Sequence, residues 1–223
     1  MSNKNVNQTE PKKLSGSFFQ DNQKSITFIV GGIILLILLY LGYQRLYLAP
    51  RAEKAANQLY KAEEYAAIDS LQAKAIDGDG SFLGFKEIAE EYSNTKSANI
   101  ANAYLGRLYL RQGNFQDAIK YLQKYSDTGS EILDPLVTGL IGDAYSESKD
   151  YKSAADHYKK AAQKSKNTYT TPLFLKKLGL VYEALEDFKN AEETYRSIKT
   201  AYPNSPEANL IDGLIARAQA KQQ

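Results

Sequence analysis

The strongest feature of the hydropathy pattern is one uninterrupted apolar run near the start of the chain. No charged side chain occurs between residues 25 and 44, and the flanking cations are Lys24 and Arg45. A helix of about twenty residues rises about 30 Å, which is the thickness of the hydrocarbon core of a bilayer. The pattern therefore predicts a transmembrane anchor helix over residues 26–48. Three tyrosines mark its far interface: Tyr40, Tyr43 and Tyr47.

A cleaved signal peptide is the alternative interpretation of this run. Its apolar region would cover about 7–15 residues and would precede a small-x-small cleavage site. The run in this chain is longer, and the nearest candidate site, Leu48-Ala49-Pro50, places proline where cleavage is disfavoured. A buried helix of a soluble protein would keep a polar face, which the run lacks. We therefore favour an uncleaved anchor.

After the run, apolar and charged positions alternate in a helical pattern. Residues 50–76 contain neither glycine nor proline after the first position, which predicts one long helix. The helix is expected to end at residues 77–81, because two Asp-Gly steps there favour a turn. A short helix follows over about residues 82–92. Residues 49–97 are thus predicted to form a long helix and a degenerate first helical pair.

The remaining chain contains a repeated pattern in which a glycine recurs after 36 and then 37 residues. Each unit has this glycine, a tyrosine three residues later, and then an aromatic residue, an alanine and a large apolar residue. The sets are Gly106, Gly142 and Gly179; Tyr109, Tyr145 and Tyr182; Phe115, Tyr151 and Phe188; Ala118, Ala154 and Ala191; and Leu122, Tyr158 and Tyr195. Two antiparallel helices per unit explain the pattern, because the glycine and alanine permit close approach. Such units resemble the tetratricopeptide (TPR) repeat.

Proline dipeptides indicate where helices begin. Asp134-Pro135, Thr171-Pro172 and Ser205-Pro206 each place an N-cap residue before a proline that suits the first turn. Residues 98–205 are therefore predicted to form three TPR-like repeats, and residues 206–223 a C-terminal capping helix. The apolar side chains of that helix are Leu210, Leu214 and Ile215. The predicted fold class is all-α, a TPR-type helical solenoid preceded by one transmembrane helix.

Composition and charge exclude several classes of function. The chain has no cysteine and one histidine, so zinc sites, thiol catalysis and disulfide scaffolds lack their ligands. We predict no catalytic residue, no metal and no cofactor. His157 is expected on the surface, and residues 77–81 are expected to be a plain turn. A calcium loop would need glycine at Phe82 and glutamate at Ile88.

The charge balance separates the leading tail from the rest. Residues 1–25 hold four lysines and two acidic residues, and the rest of the chain is neutral, with 24 basic and 24 acidic residues. A neutral chain after residue 25 lacks the net positive charge that attracts the phosphate backbone of nucleic acid. The polar composition of residues 1–25 predicts a disordered tail. Within about twenty residues on each side of the apolar run there are four cations, so charge does not orient the anchor.

The first helices of successive repeats are expected to line a concave groove. Counting from the shared glycines, the candidate groove residues are Tyr104, Arg107 and Arg111, then Leu140, Asp143 and Glu147, then Lys176, Lys177, Leu180 and Glu183. The order is basic, acidic and then mixed, with apolar positions between, which suits an extended peptide or a partner helix. The alternative is that these residues form solvated helix faces. The sequence does not decide between the two.

The whole arrangement resembles the membrane-anchored ancillary Sec-translocon subunits of Gram-negative bacteria (YfgM-type). The resemblance covers about residues 20–220 and is clearest from Gly78-Asp79-Gly80 and Phe85, through Glu91-Tyr92 and Ala98-Asn99, to Leu105-Gly106. It implies a single-pass inner-membrane protein with a cytoplasmic N-terminus and a periplasmic TPR domain. The implied partners are secretion-channel subunits, periplasmic chaperones or unfolded envelope proteins. The alternative is a structural scaffold for an envelope complex that binds no client chains.

Overall fold

A computed structural model describes residues 22–222, in two units that meet between Pro50 and Arg51. All regular structure within the described residues is helical, which confirms the predicted all-α class. The predicted disordered tail, residues 1–25, lies outside the described residues up to residue 21. Gln23 already begins the first helix, so the prediction was wrong for residues 23–25, which are helical.

The first unit carries the apolar run. Helix α1 spans Gln23–Gly42 and continues into a π-helical segment, Tyr43–Leu48. Every large apolar side chain from Phe28 to Leu41 is at least 47% exposed. Within residues 22–222, the helix that begins at Gln23 is the one that is long and apolar enough to cross a membrane. These features fit the predicted anchor, because an apolar surface of this extent is stable only against lipid or protein.

The second unit begins with two helices where the sequence predicted one. They are α2, Ala49–Ala66, and α3, Gln72–Asp77, with a short 3-10 turn at Asp69–Leu71 between them. Ile68 is extended, with φ −107° and ψ 116°, and the Asp69 carboxylate accepts a hydrogen bond of 2.9 Å from Gln72 Nε2. Short polar side chains that bond locally compete with helix continuation. The single long helix over residues 50–76 was therefore wrong.

The turn predicted at residues 77–81 is confirmed. Gly78 and Gly80 have φ angles of +82° and +86°, which L side chains rarely adopt. The Asp79 carboxylate accepts bonds from the Ser81 amide at 3.0 Å and hydroxyl at 2.7 Å, and these bonds lower its pKa. Helix α4 then spans Phe85–Glu91. Its Phe85 and Ile88 are fully buried against the first repeat.

Three helical pairs and a final helix complete the second unit. In each pair we call the first helix A and the second helix B. The helices are α5, Lys96–Arg111, and α6, Phe115–Leu122; α7, Leu133–Glu147, and α8, Tyr151–Lys164; α9, Thr170–Ala184, and α10, Phe188–Ala201; and α11, Ile211–Ala220. Each helix A contacts the next helix A, and each helix B packs between its own helix A and the next one. The units therefore stack as a solenoid.

The repeated glycines lie where helices A and B approach most closely. A Cβ atom added to Gly142 would lie 2.7 Å from the Tyr158 ring, and one added to Gly179 would overlap the Tyr195 ring. The equivalent partner of Gly106 is Leu122. The repeated alanines of helix B are fully buried: Ala118, Ala154 and Ala191. The physical role predicted for both sets of small residues is confirmed.

Two of the three predicted N-caps were wrong. Helices α7 and α9 begin two residues earlier than predicted, so Asp134 and Thr171 lie inside the first turn. Ser205 does cap, because its hydroxyl accepts a 3.3 Å bond from the Ala208 amide. Four further helices have N-cap side chains that no proline dipeptide marks: Thr95, Asn114, Asp150 and Asp187.

Asp134 instead fastens the loop between the first two repeats. Its buried carboxylate accepts bonds from the Thr128 and Gly129 amides at 3.0 and 2.8 Å, and from the Tyr125 hydroxyl at 2.6 Å. Although burial alone would raise the pKa of Asp134, these bonds lower it. The same loop position in the next repeat uses Thr171, whose hydroxyl donates to the Ser165 carbonyl. Both residues therefore hold the loop that precedes their helix A against its first turn.

The C-terminal helix covers the last repeat as predicted, with one correction. Ile211, Ile215 and Ala218 of α11 are buried against Tyr195 and neighbouring side chains of α10. Leu214 is partly buried in the same cluster. Leu210 was predicted on the apolar face but is 71% exposed, because residues Pro206–Leu210 form a 3-10 turn with a different side-chain period.

Candidate functional site

Two of the hollows along helices A contain predicted groove residues. The larger hollow, which we call the charged hollow, has a volume of about 560 Å³. Five predicted groove residues line it: Arg111, Asp143, Glu147, Lys177 and Leu180. It extends from the end of α5 across α7 to α9, so residues from all three repeats converge there.

The second hollow, which we call the apolar hollow, lies between the helices A of repeats 1 and 2. Its volume is about 310 Å³, and three predicted residues line it: Tyr104, Arg107 and Leu140. Five apolar lining residues were missed by the sequence analysis: Ile100, Ala103, Leu133, Leu136 and Val137. Four of them lie three or four residues before a predicted position, and Leu133 lies seven residues before Leu140, so a helical count toward the N-terminus would have found them.

Lys176 and Glu183 line neither hollow. Glu183 accepts a 3.0 Å hydrogen bond from the Tyr195 hydroxyl and forms a 2.8 Å ion pair with Arg217 of α11. Its side chain is only 16% exposed. Glu183 therefore fastens the capping helix to the third repeat, a contact that the repeat pattern could not reveal.

An ion pair at the centre of the charged hollow joins repeats 2 and 3. Lys177 Nζ lies 2.6 and 2.8 Å from the two carboxylate oxygens of Asp143. The Tyr158 hydroxyl donates a 2.6 Å bond to the same carboxylate. Burial and the negative charge of Asp143 raise the pKa of Tyr158, so the phenol remains protonated. The charges of Lys177 and Asp143 are thus compensated within the protein, whereas Glu147, which also lines the hollow, forms no ion pair with any residue from 22 to 222.

We expect this ion pair to couple the two repeats by about 1 kcal/mol. The side chains of Lys177 and Asp143 are 34% and 22% exposed, so solvent screens part of the attraction. A double-mutant cycle with Asp143→Ala and Lys177→Met, followed by urea unfolding, measures the coupling. Lys199→Met with Asp212→Ala, a 2.6 Å ion pair whose side chains are 58% and 73% exposed, is the matched control and should couple more weakly. Equal coupling in the two cycles would contradict the role of the inter-repeat pair.

The rims of the two hollows carry the other charges. Arg111 forms a 2.9 Å ion pair with Asp69, and the Arg107 guanidinium lies 5.1 Å from the centre of the Tyr104 ring. Tyr104 in turn stacks on Phe85 at 4.9 Å. These contacts hold an aromatic and a cationic surface at the edge of the apolar hollow. Because Glu63 also lines the apolar hollow, the rim carries both signs of charge and suits an apolar side chain that is flanked by polar groups.

His157 is half-buried in the second repeat and does not lie freely on the surface as predicted. Its ring stacks on Tyr145 at 5.4 Å with an interplanar angle of 26°, and its Nδ1 atom is buried without a hydrogen-bond partner. Burial, and then the charge of Lys160, lower the pKa of His157. Within residues 22–222 no group of three or more His, Asp or Glu side chains is arranged to hold a metal ion.

This lowered pKa predicts a loss of stability in weak acid. Below the ordinary histidine pKa of 6.5, the unfolded chain takes up a proton that the folded chain disfavours. The penalty is therefore absent above pH 6.5, grows as the pH falls below it, and is complete below the folded-state pKa. His157→Phe should keep the stacking and remove the penalty. Thermal unfolding at about pH 7.5 and about pH 5.5 should show a smaller acid loss in the variant. An equal loss in both proteins would contradict this assignment.

Comparison with known families agrees with this architecture. A family model described as a tetratricopeptide repeat-like domain matches residues 16–195. The match begins ahead of α1 and continues into α10, so it includes the apolar run as well as most of the three repeats. No match was found among curated proteins.

Proposed function

The chain belongs to the tetratricopeptide repeat-like domain family, and from this premise we propose that it is a membrane-anchored protein–protein interaction module. Its groove would hold an extended segment or a helix of a partner protein. The observation that carries this proposal is the pair of hollows along helices A. An apolar hollow beside a charged hollow offers both an anchor for an apolar side chain and a polar rim.

The anchor supports the same proposal by raising the effective concentration of the groove. A partner in the same membrane, or one that emerges from it, meets the groove far more often than a freely diffusing protein would. Contacts at the two hollows can therefore be weak and still be occupied. Such an arrangement favours brief, repeated binding over one permanent complex.

The compartment and the partner class are a finer proposal that rests on the resemblance over residues 20–220. We propose an inner-membrane protein with its N-terminus in the cytoplasm and its TPR domain in the periplasm. The proposed partners are secretion-channel subunits, periplasmic chaperones or unfolded envelope proteins. A scaffold for an envelope complex is the competing function, and the two differ in whether client chains enter the groove.

In-cell photo-crosslinking separates these functions. A photoreactive amino acid replaces Tyr104, Leu140 or Leu180 in turn, and Ala201 on helix B of repeat 3 is the control position. Both sets of sites include exposed or partly exposed residues, so accessibility alone does not decide the result. Adducts with channel subunits or several unfolded envelope proteins from the groove positions support the proposal. One folded partner, or equal adducts from Ala201, would refute client binding in the groove.

Protease accessibility tests the proposed topology. Protease added to spheroplasts should degrade the repeats of the intact chain and leave a fragment that contains α1. A cytoplasmic marker protein must remain intact in the same sample. Protection of the repeats until the membrane is dissolved would overturn the periplasmic placement, without affecting the proposal that the groove binds protein.

A further inference from the structure

The charges of the second unit are unevenly distributed, although the chain after residue 25 is neutral. Helices A contact one another, and helices B lie on the opposite side of the stack, which we call the outer side. The cations of helices B recur at equivalent positions of successive repeats. Lys152 and Lys189 form one such pair and Lys159 and Arg196 a second, and Lys160 corresponds to Lys124, which follows helix B of repeat 1. Equivalent positions of stacked repeats lie side by side, so these cations form rows along the outer side.

These rows are densest on α8, helix B of repeat 2. Lys152, Lys159 and Lys160 are exposed, and none of them forms an ion pair with any residue from 22 to 222. Asp156 is the one acidic residue of this helix. Lys164, by contrast, is committed to a 2.7 Å ion pair with Asp127. We call Lys152, Lys159 and Lys160 the basic face.

Chemistry limits what the basic face can bind. The exposed residues of α8 are Lys152, Asp156, Lys159, Lys160, Gln163 and Lys164, so no apolar side chain is available for insertion or for a dry protein interface. A partner must therefore offer a negatively charged surface, and its binding cannot depend on close shape complementarity. Anionic lipid headgroups meet this description, and α1 is long and apolar enough to hold the chain in a membrane.

We propose that the basic face docks on anionic lipid headgroups of the membrane that holds the anchor. Each lysine near such a surface strengthens association about fivefold, and the exposed Asp156 on the same helix offsets about one of the three, so the helix contributes about thirtyfold. The tether removes most of the cost of bringing the face to the surface, so an attraction of this size is sufficient. The docking leaves helices A, and therefore both hollows, on the side that faces away from the lipid. This inference depends on membrane anchoring and is independent of what the groove binds.

A spin-label measurement on the full chain tests the proposal. The chain has no cysteine, so Gln163→Cys places one nitroxide beside the basic face, and Arg107→Cys places one on the groove side. The protein is reconstituted into vesicles of phosphatidylcholine, with or without phosphatidylglycerol. Collision of the label with a water-soluble nickel complex reports its exposure. We expect phosphatidylglycerol to protect the label at residue 163 and leave the label at residue 107 exposed. About 1 M salt should abolish the protection, because the Debye length falls to about 3 Å.

Charge variants make the test specific. Lys152→Glu, Lys159→Glu and Lys160→Glu together should remove the protection, since the attraction falls by at least about a hundredfold. The matched control carries the same change of charge at three exposed lysines elsewhere, Lys74→Glu, Lys96→Glu and Lys221→Glu, and should keep it. Flotation of the protein with neutral vesicles reports on the anchor separately. Equal exposure of the residue 163 label in both lipids would overturn the proposal, as would protection by added polyglutamate but not by phosphatidylglycerol.

Discussion

Replacing Phe174 by alanine is expected to lower the free energy of unfolding by about 3–5 kcal/mol, the largest effect among the core substitutions considered. The ring is 2% exposed and occupies the space over Gly139, where an added Cβ would overlap it. It also lies 6.3 Å from the Tyr158 ring. The substitution therefore opens a cavity between helices A of repeats 2 and 3 and removes the contact with the Tyr158 ring.

Urea unfolding of the detergent-solubilised chain, followed by circular dichroism, measures this effect. Leu210→Ala is the control for loss of a large apolar side chain, and since Leu210 is 71% exposed it should change stability by less than about 0.5 kcal/mol. Gly139→Leu alone should destabilise by overpacking, whereas Gly139→Leu combined with Phe174→Ala should recover part of the loss. Additive effects of these two changes would show that the ring and the glycine do not share one space.

Two aspartates in the apolar run are expected to release the protein from the membrane. Leu35→Asp and Leu38→Asp lie near the middle of the predicted span, where each aspartate costs about 2.5–3.5 kcal/mol of insertion free energy. Both side chains are exposed in α1, so the fold of the repeats does not depend on them. Most of the variant should appear in the soluble fraction after carbonate extraction, whereas the unchanged protein stays in the membrane pellet.

The matched control places the same two charges on the second unit. Ile132 and Tyr169 are 42% and 63% exposed, and Ile132→Asp with Tyr169→Asp should stay in the pellet. Retention of the Leu35 and Leu38 variant in the pellet would show that the apolar run is not what holds the chain. The mass of the unchanged mature protein addresses the signal-peptide alternative, because cleavage before Pro50 would leave a chain without the run.

The repeat pattern predicted the parts of the fold that depend on local geometry. Glycine, alanine and an aromatic residue at fixed spacing specify one contact between helices A and B, and the contacts at Gly142 and Gly179 occur as predicted. The break at Ile68 was missed because no glycine or proline marks it. Only the local bonds of Asp69 distinguish this segment from the helices around it.

The groove was predicted less completely than the fold. Positions such as Tyr104 and Leu140 could be counted from the glycines, and they do line a hollow. The ion pair between Asp143 and Lys177 could not be predicted, since it joins two repeats and depends on how far each is rotated against the next. The ion pair of Glu183 could not be predicted for the same reason, because its partner Arg217 lies in the capping helix.

Contacts confined to neighbouring helices give the stack a mechanical property. A partner that pulls against the membrane anchor loads the helix pairs in series, so the most compliant junction yields first while the others keep their structure. Helix B of repeat 1 has 8 residues, whereas helix B of each other repeat has 14. The junction between repeats 1 and 2 is therefore packed by the shortest helix B. The apolar hollow lies at that junction. A side chain bound there would add contacts across the junction, and the force needed to separate repeats 1 and 2 would rise.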